Sequence, residues 1–149
     1  MKLSTVLSCL CVIIFAFTSK NSKVLFGIQK VKNNYKEIIK ATLTNKTNDT
    51  LYYYSMSCSW QEFYSTDNTN LIVHVNLCDK NIPKVLQIAP HKSNVVTLEL
   101  INKLTNKNIG KKLRIGFNFI EPKSRNLIDF NRKELTNKVN IIWSNTICL

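Results

Sequence analysis

After its first twenty positions, the chain consists of short segments in which apolar and polar residues alternate. Leu71, Val73 and Val75, for example, share one side of such a segment. Alternation of this kind places one face of a strand toward a core and the other toward solvent. The strands predicted in this way cover residues 24–31, 37–45, 50–58, 71–77, 84–89, 94–101, 112–120 and 138–144.

The spacing of these segments predicts an all-β fold. Strands that recur about every 8 to 15 residues favour an antiparallel two-sheet sandwich of about 7 to 8 strands, with a small barrel as the alternative. One short helical turn is predicted near residues 131–137, because Asn131 is a good N-cap and Glu134 follows three positions later. The mature chain, residues 21–149, is predicted to form a single β-sandwich domain.

Residues 1–20 have the layout of a signal peptide. Lys2 precedes an apolar run over residues 6–17, and the small polar residues Thr18 and Ser19 follow it. That run is shorter than the roughly 20 apolar residues of a membrane-spanning helix, and no second run in the sequence approaches that length. We therefore expect a secreted, periplasmic or cell-surface protein with no transmembrane segment once the signal peptide is removed, and the alternative is that the apolar run is retained as an uncleaved anchor.

Several segments resemble bacterial immunoglobulin-like domains. Residues 41–45 and 51–54 resemble the early strands of such domains, and residues 88–93, which lead into 96–98, resemble their "proline, x, x, serine" edge. Over about residues 37–101 the chain resembles small exported immunoglobulin-like proteins of bacteria. It departs from antibody domains because Trp60 follows Cys58 by only two positions. The resemblance implies the immunoglobulin-like sandwich fold and assigns no catalytic residue.

Three of the five cysteines lie outside the predicted signal peptide. Export permits them to pair, and Cys58 and Cys78 flank strand-like segments separated by a single excursion. A disulfide between them would stabilise the fold by about 3 kcal/mol. Cys148 would then be free, buried or available for an intermolecular bond.

The formal net charge of +12 favours anionic partners. Lys111, Lys112 and Arg114 form the densest basic group in the C-terminal third and are a candidate patch for such a partner. Only three of the 21 basic residues are Arg, so no specific nucleic acid is expected. We expect exposed side chains at ten basic positions in this third, namely Lys103, Lys107, Lys111, Lys112, Arg114, Lys123, Arg125, Arg132, Lys133 and Lys138.

The sequence carries no recognisable catalytic motif. It has neither a G-x-S-x-G nor an H-E-x-x-H pattern, and its only histidines are His74 and His91. The cysteines are too dispersed for a zinc site, and three glycines cannot build a phosphate-binding loop. We therefore predict no catalytic residue, no metal site, no cofactor and no enzymatic activity.

Aromatic residues accumulate between positions 51 and 64. Two interpretations stay open: these rings anchor an interface, or they form the core and pair across strands. The candidates for a binding surface are Tyr52, Tyr53, Tyr54, Trp60, Phe63 and Tyr64.

These observations favour an exported, non-enzymatic binding or accessory module with a protein or a polymeric envelope partner. One alternative is a small protease or lysozyme inhibitor, with residues 65–70 or 122–126 as the reactive loop. The other alternative is a protein that binds anionic envelope polymers or glycans.

Overall fold

A computed structural model describes residues 23–103, 112–123, 130–138 and 140–149. The predicted signal peptide lies outside these residues. Within them the chain forms eleven strands, β1 (Val24–Val31), β2 (Glu37–Asn45), β3 (Leu51–Met56), β4 (Tyr64–Thr66), β5 (Leu71–Val73), β6 (Pro83–Ile88), β7 (Ser93–Asn102), β8 (Lys112–Leu113), β9 (Ile115–Asn118), β10 (Ile141–Trp143) and β11 (Ile147–Cys148). A 3-10 helix, Trp60–Phe63, and one α-helix, α1 (Arg132–Asn137), complete the list.

The first sheet has four strands in the order β1-β2-β7-β5, and all its neighbours are antiparallel. Ile39 and Leu98 face each other across β2 and β7 and are fully buried. The next pair in the ladder, Lys40 and Thr97, is exposed. The alternation in the sequence is therefore an alternation of burial, as an antiparallel sheet with one solvated face requires.

The remaining strands are grouped around β9. β4 and β10 each pair antiparallel with β9, β8 pairs with β11, and β3 pairs with β6. The backbone N–H of Tyr54 in β3 donates to the C=O of Ile120 at 2.9 Å, so β3 lies beside the chain that continues from β9.

Aromatic rings from the two groups of strands meet in the core. The Phe26 ring of β1 lies 5.9 Å from the Phe117 ring of β9 and 6.1 Å from the Tyr64 ring of β4, between centroids. Tyr53 of β3 meets Phe117 edge-on at 5.7 Å. The buried face of the first sheet thus packs against the strands around β9, and the protein is all-β with antiparallel sheets.

Asn145 closes the outer edge of β1 in place of a strand. Its Oδ1 accepts from the backbone N–H of Ile28 at 2.8 Å, and its Nδ2 donates to the C=O of the same residue at 3.1 Å. A side-chain amide that bonds both groups reproduces a ladder pair and leaves this part of the edge without unpaired polar groups.

The predicted helical turn is present as α1. Its N-cap is Asn131, whose Oδ1 accepts from the backbone N–H of Lys133 at 3.0 Å. No helix among the described residues is long and apolar enough to span a bilayer.

Several predicted strand boundaries were wrong. Residues 74–77 continue no strand after β5, and the predicted strand 50–58 ends at Met56. The predicted strand 112–120 is divided at Arg114, whose backbone N–H donates to Asp67 Oδ1 at 2.8 Å instead of to a neighbouring strand. The short strands β4 and β11 were not predicted, because two or three residues carry no periodicity.

Candidate binding pocket

The disulfide and one asparagine hold the segment that follows β3. Cys58 and Cys78 are bonded, in agreement with the sequence prediction, with Cα atoms 6.4 Å apart. Asn81 Oδ1 accepts from the backbone N–H of Cys58 at 3.4 Å and of Ser59 at 3.2 Å, and Asn81 Nδ2 also bonds the Ser59 hydroxyl. This clamp fixes where the helix Trp60–Phe63 begins, and therefore where its aromatic side chains lie.

Half of the predicted aromatic binding residues belong to the core. Tyr53, Tyr54 and Phe63 are buried. The Tyr54 ring packs on Phe130 with centroids 5.1 Å apart, on the opposite side of β3 from Tyr53. These contacts support the core interpretation for the three residues. A surface role stays a prediction for Tyr52, Trp60 and Tyr64, which are partly exposed.

Trp60 and Tyr64 line a pocket together with residues that the sequence did not single out. Their rings meet edge-on with centroids 5.9 Å apart, and Tyr64 also lies 4.8 Å from Phe117. The pocket has a volume of about 270 Å³. The described residues that line it are Tyr53, Ser55, Met56, Trp60, Tyr64, Lys84, Leu86, Val96 and Phe117.

The pocket opens where the inner face of β6 lacks cover. Leu86 lies opposite Tyr53 in the β3–β6 ladder, and both line the pocket, yet Leu86 is 38% exposed whereas Tyr53 is 6% exposed. Lys84 lies opposite Ser55 on the same face and is also exposed. Ile82, two residues before it, is 58% exposed. An apolar face thus continues from the core into solvent along β6.

The electrostatics of the pocket are those of a mostly apolar site with one cation at its rim. Among the described residues of the lining, Lys84 is the one basic or acidic side chain. Burial raises the pKa of the Tyr64 hydroxyl well above its ordinary value, with a smaller contribution from Tyr53. Burial also raises the pKa of Tyr53, although the hydrogen bond from Asn94 Nδ2 to its hydroxyl at 3.1 Å opposes that shift. Both phenols are therefore neutral near pH 7, and the pocket offers hydroxyl groups, aromatic faces and one ammonium.

The structure gives the candidate anionic patch little support. Arg114 forms an ion pair with Asp67, with Nε 2.9 Å from Oδ2, and its guanidinium lies 5.2 Å from the centre of the Trp143 ring. Lys112 is exposed, and Lys111 lies outside the described residues. All the described members of the ten basic positions are exposed, as predicted, namely Lys103, Lys112, Arg114, Lys123, Arg132, Lys133 and Lys138. Lys107 and Arg125 also lie outside the described residues.

Neither histidine adjoins the pocket. His74 Nδ1 lies 3.8 Å from Glu99 Oε2, which also pairs with Lys36 at 2.9 Å, and His91 Nε2 bonds Asn48 Oδ1 at 2.9 Å. Within the described ranges, no group of three or more His, Cys, Asp and Glu residues has an arrangement that could hold a metal ion. Cys148 is a free, exposed thiol.

The structure describes the whole of the first predicted inhibitor loop and only part of the second. Residues 65–70 are folded back as a turn: Thr66 Oγ1 donates to the C=O groups of Asn68 and Leu71 at 2.8 and 2.7 Å. Asn70 N–H donates to Asn68 Oδ1 at 3.0 Å. Of the second loop, residues 122–126, only Pro122 and Lys123 are described.

A larger cleft, of about 710 Å³, lies between β10 and α1. Its lining includes Lys123 and Asn140, each next in sequence to residues outside the described ranges, so its walls are incompletely described. None of the described residues that line the pocket beside β6 is next in sequence to the undescribed ranges.

Sequence reasoning identified Tyr53, Trp60 and Tyr64 among the lining residues but missed Lys84, Leu86 and Val96. The alternation of Ile82, Lys84 and Leu86 was the available signal, and it could not reveal which face of β6 lacks a neighbour. The chain matches no protein-family model and no curated protein.

Proposed function

We propose that the protein is an exported, non-enzymatic binding module with an immunoglobulin-like sandwich fold. Its site is the aromatic pocket beside β6, and its partner is another macromolecule outside the cytoplasm. The apolar run over residues 6–17 and the disulfide between Cys58 and Cys78 support the export.

The strand order supports the immunoglobulin-like assignment. Such domains pack a sheet of the order A-B-E-D against a second sheet built from later strands and strand C. Here β1, β2, β7 and β5 form one antiparallel sheet, and the later strands β9 and β10 lie opposite it with β4. β6 departs from the simplest pattern, since it pairs with β3 in the opposite layer before the chain continues to β7.

One observation carries the choice of site, namely that the pocket-facing side of β6 is exposed while the rings behind it are buried. Leu86 is 38% exposed directly opposite the buried Tyr53. Partly exposed Trp and Tyr side chains with polar tips are the residues that most often anchor protein interfaces. A pocket of about 270 Å³ has room for one or two side chains of a partner, not for a large cofactor.

The alternatives have weaker support. An inhibitor needs a protruding, extended loop, and residues 65–70 form a turn with internal hydrogen bonds. A binder of anionic polymers or glycans needs free cations, and Arg114 is already paired with Asp67. A non-enzymatic role is favoured because the described lining residues contain Lys84 as their one charged group, with no carboxylate or imidazole among them to serve as a general base.

Photo-crosslinking in the cells that produce the protein tests the proposal. Leu86 is replaced with p-benzoylphenylalanine, and Lys40, exposed on the opposite face of the first sheet, is replaced in a control. We expect a covalent adduct with one partner from position 86 and none from position 40. The absence of an adduct at position 86, or the same adducts at both positions, would overturn the choice of site.

A further inference from the structure

We infer that the pocket binds an extended peptide that adds as a strand to the outer edge of β6, an inference that rests on the proposed function. The peptide places one apolar side chain in the pocket and one acidic side chain beside Lys84. Three features of β6 lead to this occupant: its free backbone groups, the apolar face beside them, and the charge at the rim.

One hydrogen bond shows which backbone groups of β6 point toward β3 and which point away from it. Ser57 N–H donates to Ile82 C=O at 2.8 Å, so Ser57 and Ile82 form a hydrogen-bonded pair of the antiparallel ladder. Such pairs recur at every second residue, which makes Lys84 and Leu86 the residues that bond β3. Val85 and Gln87 therefore direct their N–H and C=O groups away from β3.

These outward groups form a short template for another strand. In the described part of the chain, β6 pairs with β3 alone, and Val85 N–H and C=O have no other partner. Gln87 C=O accepts from Asn94 Nδ2 at 3.2 Å, which leaves its N–H. With the C=O of Pro83, up to four hydrogen bonds can be made by an added strand, and no sugar or lipid chain matches that alternating pattern.

The side-chain chemistry of the edge specifies the peptide further. Lys84 and Leu86 lie two residues apart and point to the pocket side, so a neighbouring strand presents residues with the same spacing to them. An aromatic or branched apolar residue suits the Tyr53, Trp60 and Val96 walls. An Asp or Glu two positions away can pair with Lys84, and the net charge of +12 also attracts an acidic peptide.

Panning a phage-displayed library of random dodecapeptides against the protein tests this inference. We expect the selected peptides to carry an aromatic or branched apolar residue two positions from an acid, with no proline between them. N-methylation at alternate amides of one selected peptide is expected to weaken binding by tenfold or more, measured by fluorescence anisotropy. N-methylation at the intervening amides changes affinity less than threefold, because those amides point away from β6.

Lys84→Glu tests the same inference by changing the protein instead of the peptide. The variant should fold, because Lys84 is exposed and makes no contact that the fold requires. We expect at least a tenfold loss of affinity for the acidic peptide, whereas the equally exposed Lys92→Glu, outside the pocket, changes it less than twofold.

Three outcomes would overturn strand addition. The first is a library that yields no peptide. The second is a selected peptide whose N-methyl series shows no alternation. The third is a protein that sediments as a dimer and selects nothing, which would identify a second copy as the occupant. An adduct from position 86 in any of these cases would leave the proposed site standing, so the two proposals fail separately.

Discussion

Asp67 bonds Arg114 twice, through the backbone and through the guanidinium. Oδ1 accepts from the Arg114 N–H at 2.8 Å, and Oδ2 accepts from Nε at 2.9 Å. The Asp67 N–H returns a bond to the Arg114 C=O at 3.2 Å. The turn after β4 therefore takes the place of a strand at Arg114 and divides β8 from β9, and the basic side chain is committed to the fold.

Arg114→Gln is expected to lower the free energy of unfolding by roughly 1 kcal/mol, because the ion pair is half exposed and screened by solvent. Retention on heparin should change little. Urea unfolding and salt elution measure the two effects, and Lys112→Gln, exposed and unpaired with Asp67, is the control for stability. If Arg114→Gln leaves the stability unchanged and the protein elutes from heparin at lower salt, Arg114 belongs to a patch that binds anions.

Asn45 is expected to be the most costly polar residue to replace. It is fully buried, and its Nδ2 donates to the C=O groups of Asp49, Ile88 and Ala89 at 2.7, 3.0 and 3.2 Å. Asn45→Ala removes all three bonds, although the C=O of Ala89 keeps a bond from the Lys92 N–H at 3.1 Å, and should destabilise the protein by about 2 to 4 kcal/mol. Thermal unfolding tests this against Asn48→Ala, an exposed site for which the change should be well under 1 kcal/mol. Equal losses at both sites would contradict the assignment.

Gly116 is required by the close approach of β10. A Cβ at this position would lie 2.5 Å from Ile141 Cγ2 and 3.2 Å from the Trp143 ring. Gly116→Ala is therefore expected to cost about 1 to 3 kcal/mol. Ile141→Ala removes the nearest atom, so the double variant should be more stable than the sum of the single effects predicts. Additive denaturation energies would show that this contact is not the cause.

The buried tyrosines predict how stability depends on alkaline pH. Burial raises the pKa values of Tyr64 and Tyr53 above the ordinary 10.0. The folded state holds protons that the unfolded state releases near pH 10, so the free energy of unfolding should be independent of these groups below pH 10 and should fall above it. Tyr64→Phe should make that fall shallower, and Tyr35→Phe, at a fully exposed position, should not. An unchanged alkaline slope in Tyr64→Phe would refute the prediction.

Loss of the disulfide should destabilise the protein through the unfolded chain. The bond closes a loop with a sequence separation of 20, so a Cys58→Ser/Cys78→Ser variant is expected to lose about 3 kcal/mol. Cys148→Ser should be nearly neutral, because its thiol is free and exposed. Guanidinium unfolding of the two variants gives the comparison. A Cys148→Ser protein as unstable as the double variant would assign that thiol a structural role.

The strands with a long alternating pattern could be predicted from the sequence alone. β1, β2 and β7 have 8, 9 and 10 residues, and their predicted segments differ from the observed ones by at most one residue at each end. An alternating segment of this length has one stable placement, apolar side inward, because a one-residue shift would expose the whole apolar set. The Asn131 cap and the pairing of Cys58 with Cys78 could also be predicted from the sequence, since each depends on residues close in sequence.

The burial of the aromatic residues and the position of the candidate site depend on tertiary contacts. Tyr52, Tyr53 and Tyr54 are indistinguishable in sequence, and the last two are buried, Tyr53 against Phe117 of β9 and Tyr54 against Phe130 on the other side of β3. The pocket depends on the outer edge of β6, which no strand of the described residues pairs with, and the division at Arg114 depends on Asp67, 47 residues away. Local pattern fixes which side of a strand is apolar, whereas burial depends on which distant segment covers that side, and that is set by the packing of the whole chain.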